Sequence, residues 1–128
     1  MYRFVDHTAE LEVELESESA EGVLGDALQA FAELAGPATG EEIEHRVVIE
    51  ANDLPTVLAG WLEELVFLAE TEGFVPERAD LALDGLRLSA LVRGRRGEPR
   101  PLVKAVTLHR LRLRSENGVW KGRVVLDV

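Results

Sequence analysis

The sequence predicts an α+β fold: a single domain with a mainly antiparallel sheet and two helices packed on one face. Three observations point there. Both ends of the chain alternate apolar and polar residues with the period of a strand, and two interior segments repeat apolar residues at helical spacing. Hairpin signals separate the apolar runs of the second half. A length of 128 residues is that of one domain, so 1–128 is read as a single unit.

The elements follow in order. Tyr2 to Glu10 reads as a strand, and Leu11, Val13 and Leu15 then alternate with Glu10, Glu12, Glu14 and Glu16 as in a half-buried second strand. Ser19 is an N-cap for a helix that runs to about Ala35, with Leu24, Leu28, Phe31 and Leu34 on one face and Gly36-Pro37 as the stop. Ile43 to Ala51 is a third strand. Asp53 caps a second helix with Pro55 in its first turn, where a missing N–H costs little. Leu54, Leu58, Trp61, Leu62, Leu65 and Leu68 keep helical spacing until Gly73. Leu81–Leu83 and Leu86–Val92 are two short strands around an Asp84-Gly85 turn. Lys104–Arg114 and Val119–Val128 flank Glu116-Asn117-Gly118, a second hairpin.

Composition narrows the function. With 46% hydrophobic and 30% charged residues the chain is a folded globular protein. It has no cysteine, which excludes disulfides, zinc–thiolate sites and thiol catalysis. No apolar run is long enough for a membrane span, and the start lacks the pattern of a signal peptide, so the expected location is cytoplasmic. No Gly-rich phosphate loop and no Ser/His nucleophile arrangement is present, so no catalytic residue is assigned.

Charge is divided unevenly. Residues 1–77 carry nineteen acidic and two basic side chains, whereas residues 78–128 carry twelve basic and five acidic ones. Either the halves neutralise one another across a shared sheet, or a polarised surface meets a charged partner. The densest basic stretch, Arg93-Gly94-Arg95-Arg96-Gly97-Glu98-Pro99-Arg100, reads as an exposed loop. It lacks the interleaved aromatics that stack on bases, so no strong direct nucleic-acid binding is expected.

The two ends of the chain carry the chemistry. If the terminal strands pair, Glu10, Asp127 and the carboxylate of Val128 come together. Like charges about 4 Å apart repel by several kcal/mol at intermediate dielectric, so a cation or a lysine must offset them. Oxygen donors without sulfur suit calcium, magnesium or manganese over zinc or copper.

Four segments in order, Asp6-His7-Thr8-Ala9-Glu10, Trp61-Leu62-Glu63-Glu64-Leu65, Lys104-Ala105-Val106-Thr107-Leu108-His109 and Val124-Val125-Leu126-Asp127-Val128, resemble the archease family over the whole chain. The resemblance implies a small α+β accessory protein of the GTP-dependent RNA ligase RtcB, which joins tRNA halves and repairs broken RNA. It implies that the chain promotes guanylylation and turnover of that ligase. It also implies a divalent cation, calcium in the usual case, held by Glu10, Asp127 and Val128. The family has aspartate where this chain has Glu10, whose extra methylene carries its oxygens further.

Asp6, His7 and Lys104 are the partner or supporting residues. His7 is either a ligand or a ring that hydrogen-bonds the backbone and fixes the turn, and Asp6 is a neighbouring acceptor. Lys104 stands out because the chain writes its positive charge mainly as arginine, twelve against two lysines. It matches the family's lysine, and its target is a nucleotide phosphate, a ligase carboxylate or the carboxylate cluster. On an unbulged strand Lys104 and His109 face opposite ways. Trp61 belongs to the core. The alternatives to an accessory protein are a small metal-dependent phosphodiester hydrolase and a chaperone-like binding module.

Overall fold

Alternating strands that bury one face need a partner layer, and the chain supplies it with two helices. The structure, a computed structural model, describes Met1–Val128. Its elements are β1 (Tyr2–His7), β2 (Glu10–Ser17), α1 (Ala20–Ala35), β3 (Glu42–Glu50), α2 (Leu54–Glu72), β4 (Phe74–Asp84), β5 (Arg87–Arg96), β6 (Ala105–Glu116) and β7 (Val119–Asp127). The α+β class and the order of elements are those the sequence predicts. The sheet, however, is two sheets: β1-β2-β7-β6 and β3-β5-β4, antiparallel throughout. The Gly- and Pro-containing segment 97–104 carries the chain from one to the other.

Both helices begin where the caps predict. Ser19 Oγ accepts from Gly22 N–H at 2.9 Å, and Asp53 Oδ1 accepts from Thr56 N–H at 2.8 Å. α2 ends at Gly73, whose φ of 64° is the left-handed cap that glycine adopts without penalty. α1 packs against β2 and β4, and α2 against β6, β4 and β3, so the helices join the two sheets. Between them Trp61 is wholly buried and donates from Nε1 to the Leu24 carbonyl at 2.8 Å. Core packing is therefore its role, as predicted. No helix is long and apolar enough to cross a membrane.

Three departures from the predicted elements have local causes. β4 starts at Phe74 rather than Leu81, because Phe74 and Val75 are buried directly after the α2 cap. A register shift between Pro76 and Arg78 breaks the alternation there, and β4 is an edge strand, where proline is tolerated. The β4–β5 turn is Gly85-Leu86, one residue later than predicted, with Asp84 paired to Arg87. Gly85 has φ 62° at the first central position of that turn. Finally, Arg93, Arg95 and Arg96 lie in the central strand β5 and not in a loop.

Candidate functional site

Antiparallel register builds one end of the four-stranded sheet from the β1–β2 turn and the C-terminus. His7 lies opposite Glu10, Glu10 opposite Asp127, and Asp127 opposite Ala105. Directly opposed residues share a face, with Cβ atoms roughly 5 Å apart, so His7, Glu10 and Asp127 form one row. That face is the one away from the helices, since Leu11, Val13 and Leu15 bury the other. Asp6 lies opposite Leu11 and so falls on the other face, away from the row. Backbone bonds knit the edge together. Val128 N–H donates to the Ala9 carbonyl at 3.4 Å and Lys104 N–H to the Asp127 carbonyl at 2.7 Å. Ala9, in the tight β1–β2 turn, has a φ of 62°, a strained value for a residue with a Cβ.

Lys104 is thereby set beside Asp127. Its side chain is exposed, makes no ion pair, and borders a shallow depression with Glu63, Val66 and Val106. The parity that set Lys104 against His109 does not apply, because β6 is bulged. Thr107 pairs with Val125 and Arg112 with Arg123, so residues 108–111 lie opposite Val124 alone. Arg110 sits in this excursion with φ 56°. Such a bulge bends its strand and re-aims side chains.

The re-aimed side chain is Arg110, and its target is Glu12. The outward parity of Glu12 predicts a solvated carboxylate, yet it is only 6% exposed. Arg110 reaches across β7 to put Nη1 3.3 Å from Glu12 Oε1 and Nη2 3.8 Å from Glu10 Oε2. His7 Nε2 is 3.6 Å from the same Glu12 oxygen, and Arg123 Nε is 3.9 Å from the other. None of these contacts has hydrogen-bond geometry, so Glu12 Oε1 and Arg123 Nε are buried without hydrogen-bond partners. His7 accordingly turns to a carboxylate and not to the backbone. The signal that could have revealed the cluster is charge complementarity between strands: Glu10, Glu12, Glu14 and Glu16 on β2 against Arg110, Arg112 and Arg114 on β6.

The three-stranded sheet handles its charge differently. Arg93 donates to Asp80 at 2.9 Å and to Glu44 at 3.1 Å, Arg95 to Glu42 at 3.1 Å, and Arg96 to Glu41 at 3.1 Å. Arg87 donates to Glu50. The hydrogen bond to Asp80, then that to Glu44, raises the Arg93 pKa further above its usual value. Acids of the first half and arginines of the second are thus neutralised across a shared sheet.

The two carboxylates that the register brings together at the terminal edge, Glu10 and Asp127, are donors of the type a hard cation takes. Glu10 and Asp127 are neighbouring carboxylates, and no His, Cys, Asp or Glu group of three or more converges there. Calcium takes six to eight oxygens and accepts carbonyls and water among them. The remaining ligands would therefore be oxygens of Val128 and solvent.

Comparison with known proteins agrees with this architecture. The family model described as the Archease protein family matches residues 2–128. The chain is 30% identical to "Protein archease" of Archaeoglobus fulgidus, covering 99% of this chain and 98% of the relative. It is 31% identical to that of Methanothermobacter thermautotrophicus over 99% of this chain and 98% of the relative. The solution structure of Methanobacterium thermoautotrophicum protein 1598 superposes with a TM-score of 0.78 at 29% identity, covering 99% of this chain and 98% of that one. A Thermotoga maritima crystal structure, described as "an archease, possible chaperone", gives a TM-score of 0.70 at 25% identity, with 100% and 98% covered. The fold, the end-to-end match and these identities place the chain in the archease family.

Proposed function

We propose that this protein is an accessory factor, without catalysis of its own, for an RtcB-type GTP-dependent RNA ligase in the cytoplasm. The reading is that it promotes ligase guanylylation and repeated turnover in tRNA splicing or RNA repair. Family membership supports it, and the one structural observation that carries it is the terminal edge. There two carboxylates, Glu10 and Asp127, are held in register with an unpaired, exposed Lys104 beside them. An edge of this kind offers a partner both a cation and an ammonium, with no nucleophile of its own.

A divalent cation, with calcium the first choice and magnesium or manganese the alternatives, would be held by Glu10, Asp127 and oxygens of Val128. When bound it supplies positive charge that attracts a phosphate or a ligase carboxylate. The protein's own residues do the rest. β2 and β7 fix the spacing of the two carboxylates, and the Lys104–Asp127 backbone bond fixes where the ammonium emerges. His7, across from Glu10, completes the row.

The test is a ligase assay with GTP and a divalent metal, titrating this protein against its cognate ligase. The expected result is a rise in guanylylated ligase and in multiple-turnover joining. An active ligase that is unaffected over the whole titration overturns the reading. RNA or nucleotide hydrolysis by this protein alone would favour a hydrolase instead. The Thermotoga relative's description as a possible chaperone favours a second reading, a general binding module. That reading requires protection of unrelated client proteins in the same titration.

A further inference from the structure

The bulge in β6 places a guanidinium where the proposed cation would compete with it. Arg110 is shared by two carboxylates that differ in environment. Glu12 is 8% exposed at its side chain and lies 3.3 Å away, whereas Glu10 is 38% exposed and lies 3.8 Å away. The buried carboxylate has the greater need of a countercharge, because it has lost its water and one oxygen lacks any hydrogen bond. The more exposed Glu10 can be rehydrated or take another cation.

We propose that Arg110 is a built-in competitor for the cation at Glu10, and that Glu12 restrains this competition by holding the guanidinium. A divalent ion on Glu10 and Asp127 releases Arg110 from Glu10, and Glu12 keeps it. This inference rests on the reading of Glu10 and Asp127 as cation ligands. Two opposite effects follow from one contact set. Loss of Arg110 frees Glu10 and strengthens cation binding. Loss of the Glu12 charge sends Arg110 fully to Glu10 and weakens it. A half-exposed ion pair of this kind corresponds to roughly a fivefold change in affinity.

The experiment is calorimetric titration of the full chain with Ca²⁺ alone at near-physiological salt, where charges more than about 8 Å apart are largely screened. Arg110→Asn is the main variant, since asparagine tolerates the left-handed backbone of this position. It should bind Ca²⁺ about fivefold more tightly than the parent, and Glu12→Gln about fivefold more weakly. Arg112→Gln removes the same charge two residues along β6, from a side chain with no ion pair, and should leave the affinity within about twofold. If Arg110→Asn unfolds, the Glu12→Gln/Arg110→Asn pair removes both partners. It should bind more tightly than Glu12→Gln alone. Unchanged affinity in Arg110→Asn, or an equal gain in Arg112→Gln, overturns the inference while leaving the cation reading in place. Absence of Ca²⁺ binding from the parent and from every variant overturns both.

Discussion

The outer faces of the two sheets carry charge in opposite ways. On β3-β5-β4 every arginine of the central strand β5 meets a carboxylate, as Arg95 meets Glu42 and Arg93 meets both Glu44 and Asp80, whereas Arg46 and Arg78 on the flanking strands make no ion pair. On β1-β2-β7-β6 the register instead sets acid against acid at the terminal edge, Glu10 against Asp127. It also buries Glu12 among three bases. Where acid faces base across strands, charge solubilises a sheet and favours its register. Where like charges are held together by the backbone, the fold retains a repulsion that Arg110 offsets only from the Glu10 side, 3.8 Å away. The asymmetry of composition along the chain feeds ion pairs on both sheets, and the proposed function rests on the terminal edge.

The largest effect that would sharpen this contrast is calcium-dependent stability. With free calcium a hundredfold above Kd, the parent should gain about 2.7 kcal/mol over the calcium-free protein. Glu10→Gln or Asp127→Asn should lose most of that gain in thermal melts, while Glu42→Gln on the other sheet should keep it. A gain that survives both terminal-edge variants would place the ion elsewhere.

Next comes intrinsic stability. Glu12→Gln leaves Arg123 and Arg110 beside a buried neutral group, and should cost about 2 kcal/mol in urea titrations. The Glu42→Gln substitution removes an 81% exposed carboxylate from Arg95. Such a surface pair is worth about 0.5 kcal/mol or less. Equal costs would mean that burial does not separate the two faces.

Much of this was legible in the residues. Alternation in Leu11-Glu12-Val13-Glu14-Leu15 fixes which face of β2 is buried, and capping by Ser19 and Asp53 fixes both helix starts. Glu10 does meet Asp127, but not by pairing of the two terminal strands: β1 pairs with β2, and it is β2 that lies beside β7. The bulge was not legible, because Leu108-His109-Arg110-Leu111 offers no alternation from which to count a register. With it went the burial of Glu12, which strand parity alone assigns to solvent. The division into two sheets was equally hidden: hairpin signals report which strands are neighbours, and not where a sheet ends. The first half of β4 is hidden in the sequence because Pro76-Glu77-Arg78 breaks its alternation at the shifted register.

The smallest effect concerns acid. Hydrogen bonds from Thr56, first through its side chain and then its backbone, lower the Asp53 pKa below 3.8. The hydrogen bond from Arg114 likewise lowers that of Glu116 below 4.5. Each folded-state pKa is depressed, so the stability it contributes is present above the unfolded value and is lost as pH falls through the folded one. Asp53→Asn and Glu116→Gln should each flatten the stability curve below about pH 4.5 and leave its slope near neutrality unchanged. The pH dependence of chemical denaturation checks this.

The contrast between the faces is decided by ligase stimulation with matched charge removals. Guanylylation of the cognate ligase would be measured with the parent, Glu10→Gln, Asp127→Asn, and Lys104→Ala and Lys104→Arg. A Glu42→Gln/Glu44→Gln control would be taken from the three-stranded sheet. The terminal-edge variants and both lysine variants should stimulate weakly while melting as folded proteins, and the control should match the parent. Equal stimulation by all six proteins, or a loss confined to the control, would contradict the assignment of function to the edge where the C-terminus meets the β1–β2 turn.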